Sequence, residues 1–237
     1  MHKRQSLVWR LCSIWQIGDT IMSVLPWRVR AFISQEFPLL YHLAVNVRKK
    51  RRSESYWDER LAETWHQRSW PTKNQLIADL TLPDQSILDI ACGNGSILRD
   101  LKSRGYQNLH GLEISNYAVD RLRSEGFTMH HGSVPILQLS DDLFDVVIAS
   151  QVLEHIIRRH KFAEEIARVL KPGGQAFIFV PNNCLGPIDE PEHVIAYKPD
   201  SFRKFLDSHF EVISLDVIKD ANYPMTILFG HVRKGDA

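Results

Sequence analysis

The chain predicts an α/β fold: a doubly wound, mostly parallel seven-stranded sheet with an antiparallel last strand, preceded by a helical N-terminal extension. Three observations predict it. Short apolar runs alternate with helical periodicity from residue 86 to residue 208, which is the pattern of strand-helix-strand units. The run Phe144-Asp145-Val146-Val147-Ile148-Ala149 is nearly all apolar, as a strand covered on both faces must be. The two final runs, Glu211–Ile218 and Met225–Val232, stand too close for a helical crossover and should pair antiparallel. With 237 residues, 44% of them hydrophobic, the chain has enough apolar side chains for one such domain plus an extension.

The elements follow in order. Residues 54–80 read as two helices broken at Pro71. Strand one is Ser86–Ile90, followed by a helix over 96–103 and strand two at Leu109–Ile114. Ser115 is placed to cap a helix Tyr117–Glu125 that stops at Gly126. Strand three is Phe127–His131 and strand four Phe144–Ala149. A helix from Val152 to Leu170 ends at Lys171-Pro172-Gly173-Gly174, a strong stop. Strand five is Gln175–Val180. A loop of 181–197 leads to a helix Asp200–Ser208, and the last two strands join through Asn222 and Pro224. The extension spans 1–53 and the α/β domain 54–237.

The candidate site starts where strand one ends, in Ile87-Leu88-Asp89-Ile90-Ala91-Cys92-Gly93-Asn94-Gly95. Gly93 and Gly95 let backbone N–H groups approach a ligand without an obstructing Cβ. Glu113 closes the next strand, where a carboxylate can accept both hydroxyls of a ribose. A nucleoside-containing cofactor is therefore expected. A dinucleotide fingerprint needs a third glycine where Leu98 stands, and the turn has no lysine for a phosphate loop.

The stretch D-x-A-x-G-x-G resembles the first motif of class I S-adenosylmethionine-dependent methyltransferases, with Ala91 in place of the first glycine. Phe144 to Ile156 resembles the family's F-D-x-V-x-x-x-x-V-L-E-H signature, and Arg168 to Gly174 its R-V-L-K-P-G-G signature. The resemblance covers roughly residues 75–232 and is to small-molecule enzymes, including those that O-methylate quinone precursors. It implies the Rossmann-like methyltransferase fold and S-adenosylmethionine as cofactor. By position it implies that Asp89 orients the methionine amino group, and that Ala91, Gly93 and Gly95 line methionine and ribose. Glu113 takes the ribose hydroxyls and Ile114 packs on the adenine. Relatives carry Gly-Asp after strand three, where this chain has Gly132-Ser133, so Ser133 is left to meet the adenine. Ser150 and Gln151 end strand four, where cofactor meets acceptor.

Methyl transfer to a hydroxyl needs alignment and a proton acceptor. His193, in a segment resembling H-V-x-x-[YF]-[ST]-P-x-x-[LF], is the first candidate base, and His155 the second. Some relatives hold a divalent metal with E-x-x-E-H; here Gln151 replaces the leading carboxylate, so Glu154-His155 is read as serving the helix start and no metal is assigned. Tyr56 and Trp57 precede strand one, where relatives often carry a lid; plain packing of both rings serves as well. The resemblance implies O-methylation of a small or lipid-linked acceptor. Nitrogen or carbon acceptors, and a non-catalytic binding module, are the alternatives.

Three cysteines, Cys12, Cys92 and Cys184, lie far apart without a C-x-x-C pair, which argues against a disulfide framework or zinc site. Cys92 reads as a small filler. Residues 1–60 hold eleven Lys/Arg against five Asp/Glu, and the remainder eighteen against 23. Apolar residues from Leu7 to Leu25 fall at helical spacing, but Arg10, Gln16 and Asp19 interrupt them, so no membrane span is expected. The arm has Trp9, Trp15, Trp27 and the cluster Arg48-Lys49-Lys50-Arg51-Arg52. It fits either an anchor on an anionic membrane surface through residues 1–52 or a helical cap on the domain. No nucleic-acid motif accompanies the charge, so nucleic acid is not expected as a partner. A cytoplasmic location follows, peripheral at the inner membrane face where the arm anchors.

Overall fold

The computed structural model describes residues 24–46, 53–66, 69–182, 190–222 and 225–235. Cys12, Cys184, the cluster Arg48–Arg52 and all but the last two residues of the Leu7–Leu25 run lie outside them. The division drawn at residue 53 borders on residues 47–52, which are also outside.

Four described helices precede the sheet: α1 (Trp27–Glu36), α2 (Pro38–Asn46), α3 (Glu54–Thr64) and α4 (Pro71–Asp79). Prolines set three of their starts. Pro26 caps α1, and Pro38 and Pro71 open α2 and α4, positions where the missing N–H has no helical partner to lose. Ser53 caps α3 by accepting the Tyr56 N–H.

The alternating part follows as β1 (Ile87–Ile90), α5 (Ser96–Ser103), β2 (Leu109–Glu113), α6 (Asn116–Ser124), β3 (Thr128–His131) and β4 (Phe144–Ser150). After a 3₁₀ turn at Leu153–His155 come α7 (Arg159–Val169), β5 (Leu170–Pro181), α8 (Pro199–Asp207), β6 (Glu211–Lys219) and β7 (Thr226–Arg233). The seven strands form one sheet in the order β3-β2-β1-β4-β5-β7-β6. The first five run parallel, and β7 is antiparallel to both β5 and β6. This is the expected architecture, last strand included.

Alternation along the strands builds a core on each face. Leu88, Ile90, Val147 and Ala149 join Phe162, Ile166, Phe202 and Leu206 on one side. Ile87, Val146 and Ile148 join Leu98, Leu101 and Phe179 on the other. Each fully buried side chain of this size contributes about 1.5–3 kcal/mol. The consequence for function is positional. β1 lies between β2 and β4, where the winding reverses, and ligands of such sheets bind at the carboxyl ends of the strands there.

One expected helix is corrected. The stretch Val152–Leu170 is not continuous: the 3₁₀ turn Leu153–His155 ends in extended Ile156, and α7 starts only at Arg159. Gln151 leaves β4 with φ of 57°, so the chain must turn before a helix can form. At the far end Leu170 already pairs with Phe144, so β5 begins before the Lys171-Pro172-Gly173-Gly174 stop rather than after it.

Candidate active site

The β1 turn takes left-handed backbone three times, at Ala91 (φ 54°), Gly93 (55°) and Gly95 (72°). Glu113 locks it. One carboxylate oxygen accepts the Gly93 N–H at 2.9 Å, and the other accepts those of Ile114 and Ser115 at 2.8 and 3.1 Å. Burial raises the Glu113 carboxyl, and these three N–H groups work against that rise. Cys92 is buried, and burial pushes its thiol up, which fits a filler.

Asp89 is 1% exposed, and its Oδ2 has no hydrogen-bond partner. Burial pushes its carboxyl up to about 7; Lys73 opposes the shift and Glu113 adds to it. A desolvated carboxylate oxygen facing a cleft costs about 1–3 kcal/mol or more unless a ligand donates to it.

These groups open onto a cavity of about 810 Å³. Ten of the eleven residues singled out from sequence line it: Asp89, Ala91, Gly93, Glu113, Ile114, Ser133, Ser150, Gln151, His155 and His193. Gly95 does not. A Cβ there would stand 2.4 Å from Leu122 Cδ2, so its glycine serves the packing of α6 under the turn.

The end of the cavity beyond β4 is rich in proton acceptors. Glu154 is 1% exposed, and neither carboxylate oxygen has a partner. Burial drives it up to about 8, with its own backbone N–H and Lys73 opposing. The His155 and His193 rings meet edge-on, 4.6 Å between centroids. Ligand-type atoms of Glu154, His155 and His193 all lie within 4.8 Å of one another. His155 Nδ1–H donates to the Glu192 carbonyl at 3.3 Å, which leaves Nε2 with the lone pair in the neutral ring.

Helix α3 roofs the cavity. Asp58 accepts from Ser115 Oγ (2.6 Å) and the Tyr117 N–H at the start of α6. Toward the other end, Tyr56 donates to Glu192, and Arg60 sits 3.5 Å from the same carboxylate. Trp57 meets His155 edge-on at 5.9 Å. Helix α2 supports the same loop: His42 Nδ1–H donates to the His193 carbonyl at 2.8 Å.

Sequence reading missed Lys73, Arg60, Glu190 and Glu192 in this wall. Lys73 left one signal. It stands in the first turn of α4, which has no acid, although a cation there opposes the helix dipole.

The residues fit S-adenosylmethionine. The unpartnered Asp89 oxygen suits an ammonium, Glu113 stands one strand away for the ribose, and the volume holds a ligand of that size.

A family model described as "Methyltransferase domain" matches residues 88–178, from β1 into β5. The chain is similar to a ubiquinone biosynthesis O-methyltransferase of Pseudomonas aeruginosa, 28% identical over 53% of this chain and 60% of the relative. It is also similar to 24-methylenesterol C-methyltransferase 2 of Oryza sativa subsp. japonica, 29% identical over 55% of this chain and 39% of the relative. It therefore spans 60% or less of these curated relatives. A Haloferax volcanii putative methyltransferase, solved in complex with the Trm112 methyltransferase activator, superposes with a TM-score of 0.65 at 21% identity. The match covers 79% of this chain and 98% of that one. Motif, sheet order and relatives agree: residues 88–178 carry a methyltransferase domain, the chain resembles the class I S-adenosylmethionine-dependent methyltransferases, and S-adenosylmethionine is the cofactor that this domain binds.

Proposed function

We propose that this chain transfers the methyl group of S-adenosylmethionine to an oxygen of a small or lipid-linked acceptor. The observation that carries the reading is the cluster of proton acceptors, Glu154, His155 and His193, at the end of the cavity beyond β4. A hydroxyl acceptor must lose a proton as it attacks, whereas the cofactor end of the cavity has no need of a base. When bound, S-adenosylmethionine supplies a methyl group already activated on a sulfonium centre.

The chain's own residues then have three tasks. Asp89 and Glu113 hold the donor against the β1 turn. The roof of α3 and the 190–193 segment excludes water and fixes the acceptor in line, an alignment worth up to about 7–11 kcal/mol of barrier. His193, with His155 beside it, takes the acceptor proton, a contribution of about 10²–10⁴ in rate. Ser133, Ile114, Ser150 and Gln151 complete the donor pocket.

The lipid-linked alternative draws on the arm. Trp27 and Phe32 on α1, Leu40 on α2 and Phe37 between the two helices are all more than half exposed, Arg28 and Arg30 lie among them, and the basic cluster follows at residues 48–52. Anionic lipid is the occupant that suits apolar and cationic side chains together. The opposite side of α2 holds the His193 loop through His42, so a docked membrane would lie next to the acceptor end. Among the described residues no helix is long and apolar enough to cross a membrane.

The test is product analysis. The full chain is incubated with deuteromethyl S-adenosylmethionine and matched phenol, amine and carbon acceptors, with and without a polyprenyl tail. A deuteromethyl ether as the main product supports the reading. Products at nitrogen or carbon, with phenols untouched, overturn the oxygen assignment.

A further inference from the structure

We propose that Glu154 is the residue on which the acceptor's proton comes to rest, and that the positive charge of the bound methyl donor is what ionises it for that task. The proton's path rests on the hydroxyl acceptor proposed above. The dependence on charge rests on the cofactor alone.

Glu154 is placed to touch the reacting oxygen. It lies in the 3₁₀ turn just after β4, 1% exposed, and lines the cavity with neither carboxyl oxygen partnered. One of its oxygens and one ring nitrogen each of His155 and His193 lie within 4.8 Å of one another. Three atoms so spaced leave a point no more than about 2.8 Å from each, which is hydrogen-bond distance for a single oxygen. A hydroxyl seated there meets both imidazoles and the carboxyl, so a proton taken up by His193 has Glu154 as its next neighbour.

The surroundings decide which charge state waits. Burial holds the carboxyl up at about 8, so at neutral pH it is mostly the acid. Asp89 at the end of β1, and Glu190 and Glu192 on the 190–193 segment, line the same cavity. So do Arg60 on α3, already paired with Glu192, and Arg158 before α7. Lys73 on α4 is the cation that acts on Glu154, and it acts on Asp89 as well; Tyr197 is a further neighbour. A sulfonium brought into this space is a second cation, and it favours the carboxylate. The spent cofactor has none, and Glu154 returns to the acid.

The charges balance. As the oxygen–methyl bond forms, the methyl–sulfur bond breaks and its electron pair stays on sulfur, leaving a neutral thioether. The hydroxyl proton passes to the Glu154 carboxylate. One cation and one anion enter the step and two neutral groups leave it, so no net charge is stranded in a buried site.

Proton-linked calorimetry of the full chain at pH 7.5, in buffers of different ionisation enthalpy, tests this with S-adenosylmethionine and S-adenosylhomocysteine. Both carry the ammonium that Asp89 meets, and the first alone carries a sulfonium. On binding S-adenosylmethionine, E154Q is expected to release about half a proton per site fewer than the unsubstituted chain. With S-adenosylhomocysteine the two should not differ, and that titration also reports an intact fold. E154D, which keeps a carboxyl, is expected to keep the release. Infrared difference spectra of the unsubstituted chain need no variant: they should lose more protonated-carboxyl absorption with S-adenosylmethionine than with S-adenosylhomocysteine. Equal loss with the two ligands, or a release that E154Q leaves unchanged, overturns the proposal. With a hydroxyl acceptor, E154Q is expected to lower turnover by about 10²-fold or more, and unchanged turnover removes Glu154 from the proton's path. Products at nitrogen or carbon would instead overturn the oxygen reading and leave the linked release as it stands.

Discussion

Asp89→Asn separates stability from function, because the same carboxyl serves them with opposite sign. Burial raises Asp89 from 3.8 to about 7. A carboxyl whose folded-state value lies above its unfolded value takes stability away as pH climbs from one to the other. Roughly three pH units at about 1.4 kcal/mol each put that cost at about 4 kcal/mol by pH 8, and at about 2 kcal/mol at pH 5. Asparagine carries no charge but leaves a desolvated amide, for about 2 kcal/mol. The variant is thus expected to exceed the parent by about 2 kcal/mol at pH 8, or about 4–8 °C in Tm, and to match it near pH 5. Calorimetry at pH 8 should show the reverse for S-adenosylmethionine: loss of a buried charged partner weakens binding by at least about 30-fold. Thermal melts at both pH values and one titration suffice. A variant that melts below the parent at pH 8, or that binds the cofactor as the parent does, would show that the Asp89 carboxylate is not held in reserve for the ligand.

Other outcomes follow from the same geometry. His193→Ala is expected to lower turnover by about 10²–10⁴ with cofactor affinity intact; unchanged turnover removes His193 as the base. Gly95→Ala forces a Cβ within 2.4 Å of Leu122 at a φ of 72°, so denaturant melts should show a loss of about 2–4 kcal/mol from overpacking and strain together. A loss under 1 kcal/mol contradicts the packing role. The full chain should co-sediment with vesicles containing an anionic phospholipid, less so as salt rises, and F32E/L40E should weaken this by about tenfold or more. Equal sedimentation with neutral vesicles, or none, points instead to the N-terminal residues or a second copy as the cover for that face.

The legible part of the molecule was the part in which local chemistry and tertiary role coincide. Asp89, Gly93 and Glu113 mark strand ends in the sequence, and the sheet brings those ends together at its switch point. The antiparallel β6–β7 pair could be read because a short connection leaves no alternative. The helix written across Val152–Leu170 failed because periodicity is blind to the backbone turn at Gln151, which the end of β4 imposes. At Gly95 the sequence shows a glycine of the turn, but not Leu122 beneath it, a contact between separate elements that also demands glycine there. Lys73 and Glu192 enter the wall only through the packing of α3, α4 and the 190–193 segment over the sheet edge, which no spacing encodes.

The most direct measurement is a calorimetric titration of the full chain with S-adenosylmethionine and S-adenosylhomocysteine. Saturable binding of both at one site per chain, weakened by about 30-fold or more on replacing Asp89 or Glu113, is the expected result. No detectable heat for either ligand, or affinity unchanged by both replacements, would contradict the assignment of the β1 turn as the cofactor site.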